Sequence, residues 1–252
     1  MTDTDAQAIR RQRAASFGGV AGDYARSRPG YPDAAVRWMT EGGPGAVLDV
    51  AAGTGKLTLQ LRDYASYVAA LELAVPMLQE LQALDPSIAA VSGRAEALAF
   101  RTGSFDLITV AQAFHWLDQQ AAAAEFARVL RPGGRVGILW NFRDESVGWV
   151  ADLSKIIGSE DSEQQDFFDR LTSLDHFAPS VERIFEFEQV LDRDLLVALV
   201  RSRSYVATLP DEERVSLLSE VVRLCEEHPS LSGRSQFSMP YRTHVYRAER
   251  IG

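Results

Sequence analysis

Cysteine is nearly missing from this chain. Cys225 is the only one in 252 residues, which excludes an internal disulfide and a cysteine-rich metal centre. His228, three positions on, can share a helix face with it, but two ligands do not make a zinc site, and the pair reads as structural. No apolar run approaches the roughly 20 residues that span a bilayer. The opening MTDTDAQAIRRQ also lacks the basic-then-apolar layout of a secretory signal. Positive charge is scarce too: 26 Lys plus Arg face 35 Asp plus Glu, a formal charge of -9 that opposes binding to polyphosphate backbones or anionic membranes. The stretch from Arg10 to Arg13 is the one compact basic candidate near the N-terminus and reads as the solvated face of a helix. These absences lead us to expect a cytoplasmic globule with a small-molecule partner, and neither nucleic acid, membrane nor metal. They leave the oligomeric state open.

What is present is 46% hydrophobic and 24% charged, enough for one large domain. From Ala46 onward, short β-branched runs alternate with helical patterns: AVLDVA then KLTLQLRDY, YVAALEL then PMLQELQAL, IAAVSG, FDLITVAQ then DQQAAAAEFARVL, and RVGILW. That alternation predicts an α/β fold, a doubly wound, mostly parallel sheet with helices on both faces. Pro76 opens one helix, and the PGG at Pro132 to Gly134 closes another. Residues 146–180 read as a helical, acidic insertion after the fifth strand. RIFEFEQVL and YRTHVYRAER read as two last strands, a hairpin that adds an antiparallel C-terminal strand. Residues 1–40 stand outside the alternation. With FGGVAGDYARSRPGYP they read as an arm that folds over something, and residues 41–252 as the main domain.

In an open parallel sheet, ligands sit beyond the carboxyl ends of the strands, so the turn after the first strand, DVAAGTG, is the place to look. Gly53 and Gly55 can take positive backbone dihedrals. The position three after Gly55 is Thr58, so a dinucleotide fingerprint lacks its third glycine. Leu57 follows Lys56, which rules against a triphosphate P-loop. Asp49 beside the turn repels a pyrophosphate and attracts an ammonium. Glu72, about seventeen positions after Gly55 and followed by Leu73, sits where an acid accepts hydrogen bonds from a ribose diol. In SGRAEALAF, Glu96 can flank a nucleobase, with Arg94 and Ala95 beside it, or simply begin a helix.

A ribose, a base and an amino-acid ammonium on one ligand describe S-adenosyl-L-methionine. The motifs DVAAGTG, ALELAVPML, GRAEALAF, FDLITVAQAFHWLD and RVLRPGGRVGILWN resemble those of class I S-adenosylmethionine-dependent methyltransferases. The resemblance covers nearly the whole chain and is nearest to small-molecule enzymes of the trans-aconitate and ubiquinone type, methyltransferase type 11. Ala52 stands where the family's first motif has glycine. The resemblance implies a Rossmann-like fold in which Asp49, Ala51, Gly53 and Gly55 hold the methionine part, Glu72 and Leu73 the ribose side, and Ala95 and Glu96 the adenine. It further implies that Ala111, Gln112, Phe114, His115 and Trp116 line the methyl-transfer site. In the arm, the pattern from Tyr24 to Arg28, Pro29, Tyr31 and Pro32 is similar to the family's lid.

His115, at the carboxyl end of the fourth strand, is the best placed base for an acceptor hydroxyl or amine. Packing into the pocket wall is its plainer role. A carboxylate acceptor would need no base but a cation, for which Arg28 or Arg143 offers a bidentate clamp. Trp140, Asn141 and Phe142 end the fifth strand above the same pocket and can shape the acceptor. Tyr241 and His244 read as structural, and His176 has no partner visible in sequence. The expected activity is methyl transfer to an oxygen or nitrogen of a small metabolite, a carboxylate or phenol. The alternatives are a non-catalytic adenosyl-ligand sensor and a nicotinamide-dependent oxidoreductase.

Overall fold

A computed structural model describes residues 26–158 and 175–252. Tyr24, most of the expected arm and residues 159–174 of the expected insertion lie outside the described residues. The elements are α1 (Asp33–Met39), β1 (Ala46–Val50), α2 (Lys56–Leu61), β2 (Tyr67–Glu72), α3 (Val75–Leu84), β3 (Ala89–Ser92) and β4 (Phe105–Ala111). A 3-10 turn (Phe114–Trp116), α4 (Gln119–Val129), β5 (Leu130–Arg143), α5 (Gly148–Ile157) and β6 (Val181–Leu191) follow. The chain ends with α6 (Arg193–Arg201), α7 (Ser204–Ala207), α8 (Asp211–Glu227) and β7 (Phe237–Glu249). No helix among the described residues is long and apolar enough to cross a membrane.

The strands form one seven-stranded sheet in the order β3-β2-β1-β4-β5-β7-β6. The first five are parallel neighbours, with Val50 opposite Leu71 on one side and Val110 on the other. The apolar runs of β1, β2 and β4 are buried almost end to end, as a sheet covered on both faces requires. The Gly134 carbonyl accepts from the Arg250 amide and the Pro240 carbonyl from the Asp144 amide, so the partner number falls as β5 advances and β7 runs antiparallel. The bridge between Phe177 and Arg250 is antiparallel as well. The last two strands therefore pair as expected, but without a tight hairpin: α6 to α8 intervene, and β7 slots between β5 and β6. The PGG that was expected to close a helix begins the long β5 instead, with α4 ending at Val129.

The described chain falls into two compact units. One is built on Gly30–Asn141 and Thr243–Gly252, with residues 175–186; the other takes in Phe187–Arg242 with residues 142–158 and 26–29. The first unit's core gathers Met39, Val47, Leu57, Leu61, Val68, Leu107 and Leu139 between sheet and helices. Gly137 is small for a reason: a Cβ there would lie 2.6 Å from Met39 Sδ, so only glycine lets α1 press this closely on β5. Arg135 and Arg247 then donate to the α1 carbonyls of Met39 and Trp38, satisfying a helix end that has no glycine cap. The second unit packs Trp149, Leu153, Leu196, Leu199, Val221 and Met239 into a core of its own.

Candidate active site

The chain builds outward from β1 through β2 to β3, then returns to place β4 and β5 on the other side, so the strand order reverses between β1 and β4. Ligands of open α/β sheets bind in the crevice at such a point. Both lips carry an unusual backbone: Ala51, just after β1, has φ 54, and Gln112, just after β4, has φ 58. Left-handed dihedrals on residues with a Cβ cost about 1 kcal/mol each, a strain that collects at functional sites. Gly53 and Gly55 also have positive φ, but Gly55 serves packing: a Cβ there would lie 2.2 Å from Leu81 Cδ1. It lets the start of α2 meet α3.

Three acids surround the crevice. Asp49 is 1% exposed beneath the turn; its Oδ2 accepts from the Thr58 hydroxyl at 2.6 Å and its Oδ1 from the Thr109 hydroxyl at 2.7 Å. Burial pushes its pKa up to about 6, against the two hydroxyl bonds, and Glu72 adds to the rise. Glu72 Oε2 accepts from the Gly53 amide at 2.9 Å, and Oε1 from the amides of Leu73 and Ala74 at 2.8 and 2.9 Å. Oε1 is thereby filled and Oε2 keeps one lone pair. Glu96 Oε1 accepts from the Asp118 amide at 3.1 Å, tying the loop after β3 to the start of α4. Beside it Ala95 is buried, whereas Leu73 is 52% exposed at the rim. Thr54, which the sequence reading passed over, is 2% exposed, and its hydroxyl has no hydrogen-bond partner among the described residues. An acid-lined crevice with a shielded, unpaired hydroxyl fits a ligand with a cationic end and polar edges.

On the β4 and β5 side, His115 packs against Trp116 and Trp140, with ring centroids 4.2 and 4.7 Å apart. Ala111 and Gln112 are half-buried beside them. Other expected residues sit differently. Phe114 is fully buried and presents no surface to an acceptor. Asn141 is 3% exposed and donates from Nδ2 to the Gly30 carbonyl at 3.0 Å while Oδ1 accepts from the Thr243 hydroxyl at 2.7 Å. Tyr31 is held through its main chain: Gln60 accepts from its amide and donates to its carbonyl. In the second unit, Arg28 donates to the Ser202 hydroxyl and carbonyl. Arg143 has a side chain 2% exposed that donates to Ser154 Oγ and the Gly158 carbonyl and lies 3.7 Å from Glu145. Both arginines thus have donors engaged within the protein. His244, expected as structural, faces Glu182 at 2.7 Å.

Residues 48–138, which span this crevice, match the family model described as a methyltransferase domain. An uncharacterized methyltransferase of Mycobacterium tuberculosis is 40% identical over 239 residues, 95% of this chain and 97% of that one. The chain belongs to the class I S-adenosylmethionine-dependent methyltransferases. An uncharacterized methyltransferase-like protein of Schizosaccharomyces pombe is 29% identical to this methyltransferase, over 90% of this chain and 93% of that one. A solved structure from Anaeromyxobacter dehalogenans, provisionally assigned as a type II methyltransferase, shares the fold at TM-score 0.67 and 24% identity, covering 88% of this chain and 97% of its own. Membership in this family removes the nicotinamide-dependent reading. It leaves the methyl acceptor to be argued from the crevice.

Proposed function

We propose that this methyltransferase binds S-adenosyl-L-methionine in the crevice between β1 and β4 and transfers its methyl group to a hydroxyl oxygen or amine nitrogen of a small metabolite. The supporting observation is the polar character of the crevice: Asp49 and Glu72 on one side, the shielded Thr54 hydroxyl, and two left-handed residues at its lips. When bound, the cofactor supplies an electrophilic methyl on a sulfonium that leaves as a neutral thioether. Asp49 contributes negative charge below the ligand's ammonium, Glu72 Oε2 accepts a ribose hydroxyl beside Leu73, and Ala95 and Glu96 border the adenine. Ala51, Gly53 and Gly55 shape the turn, and Ala111 and Gln112 line its far side.

On the acceptor side, His115 takes the proton of the nucleophile, and Trp116 and Trp140 hold the imidazole and exclude water. A flat, phenol-like acceptor suits this aromatic wall. A carboxylate suits it poorly, because Arg28 and Arg143 are already engaged. Residues 1–40 are assigned to an N-terminal lid or arm and residues 41–252 to the catalytic domain.

The test supplies S-adenosylmethionine labelled in its methyl group together with a metabolite extract, then treats the products with alkali. Methyl esters release volatile labelled methanol, whereas ethers and methylamines keep the label. Stable label is expected. Predominantly volatile label would overturn the hydroxyl or amine reading in favour of a carboxylate, and no transfer at all would overturn the small-molecule acceptor.

A further inference from the structure

Asn141 holds three separate pieces of the first unit. Its Nδ2 donates to the Gly30 carbonyl, its Oδ1 accepts from Thr243, and its main-chain carbonyl accepts from the Gln112 side-chain Nε2 at 3.3 Å. Thr243 is completely buried, and the register that Gly134 and Arg250 set between β5 and β7 puts it directly opposite Asn141. Gln112 is fixed in turn by its left-handed backbone and by its amide, which donates to the Leu139 carbonyl at 2.9 Å.

The chemistry of this contact decides how the Gln112 side chain must lie. A carbonyl can only accept, so the amide presents Nε2 to Asn141 and keeps Oε1 as its remaining acceptor. Oε1 is shielded from solvent and has no hydrogen-bond partner among the described residues. A shielded oxygen without a donor is costly, and an N–H from a ligand at the β4 lip would satisfy it.

We propose that Asn141 is a positioning residue that acts through Gln112: its buried side chain braces the tip of β5, and its carbonyl holds the Gln112 amide with Oε1 turned to an N–H of the cofactor's ammonium. This rests on the cofactor reading above. It gives Asn141 a role different from contact with the acceptor. Without the brace, the Gln112 side chain regains its rotamers, and binding must again overcome that freedom.

The test is calorimetric titration of the full chain with S-adenosylhomocysteine, which keeps the ammonium, and with 5′-methylthioadenosine, which lacks the amino-acid end. Asn141→Ala and Gln112→Leu are each expected to weaken S-adenosylhomocysteine about tenfold. The double variant should be no more than about twofold weaker than the worse single, because both remove one linked contact. Methylthioadenosine should bind all four proteins within about twofold. Should Asn141→Ala not fold, Thr243→Val removes one brace only and should weaken S-adenosylhomocysteine about threefold with the same selectivity. Losses that multiply, equal losses for methylthioadenosine, or unchanged S-adenosylhomocysteine binding would overturn the role of Asn141. Wild-type protein that binds neither ligand would overturn the cofactor reading itself.

Discussion

Glu72 accepts the main-chain N–H of Gly53 at 2.9 Å, so the acid ending the second strand props the turn that ends the first. The turn after β1 is therefore not a self-sufficient loop. It is held in part by the Glu72 carboxyl group.

Replacing that charge should damage binding and stability together. Glu72→Ala leaves the amides of Gly53, Leu73 and Ala74 without their acceptor. A loss of about 2 kcal/mol in folding stability and more than about tenfold in S-adenosylhomocysteine affinity is expected. Urea unfolding and calorimetry read the two separately, and unchanged affinity would remove Glu72 from the cofactor site.

Asp49 makes binding depend on pH. Burial holds its pKa near 6, above the ordinary carboxylate value of 3.8, so the folded, ligand-free protein keeps this proton better than the unfolded chain does. Its contribution to stability is fully present below the unfolded value and is lost as pH rises through about 6. An ammonium ligand wants the opposite, ionised form. Affinity for S-adenosylhomocysteine should thus fall about tenfold for each pH unit below 6, and Asp49→Asn should abolish that slope. Titrations from pH 5 to 8 with no difference between the two proteins would show that Asp49 does not sense the ligand.

His115 is expected to affect turnover but not cofactor affinity. Its ring lies against Trp116 and Trp140. His115→Asn should lower kcat by about 100-fold and leave S-adenosylhomocysteine affinity within about twofold. Once an acceptor is in hand, steady-state kinetics beside calorimetry provide the check. A loss confined to cofactor affinity would place the imidazole on the wrong side of the reaction.

Gly55→Ala should be among the most destabilising single-methyl additions in the first unit. It forces an L-residue to φ 84 and drives a Cβ into Leu81 Cδ1 at 2.2 Å, together about 3 kcal/mol. Gly103→Ala also meets positive φ, at 66, but nothing lies within 4 Å of its added Cβ, so it should cost only about 1 kcal/mol. Equal urea midpoints for the two variants would mean that Leu81 swings aside freely.

Local chemistry makes strand ends and turns readable in a sequence. Asp49, Glu72 and the Gly53 turn stand at strand ends, where a periodic pattern gives position and side-chain charge gives ligand preference. The buried hydroxyls that hold Asp49 left a weaker mark: Thr109 is a polar residue within the apolar run LITVA, which signals a buried partner without naming it. Gln60 left none, because its Tyr31 partner lies 29 residues earlier in the chain.

The surroundings of Arg28, Arg143, Phe114 and Asn141 were not legible in the sequence. Burial and partners remote in sequence then committed Arg28 to Ser202, Arg143 to Ser154 and Asn141 to Gly30 and Thr243, and turned Phe114 wholly inward. By itself, the sequence determined the parallel α/β core, the turn after the first strand and the acids at the strand ends, because strand periodicity, turn geometry and charge act over a few residues. Only the tertiary structure decided that β7 enters between β5 and β6 and that Asn141 faces Gly30 and Thr243. Those pairings join residues about a hundred positions apart, and only packing brings them within hydrogen-bonding distance.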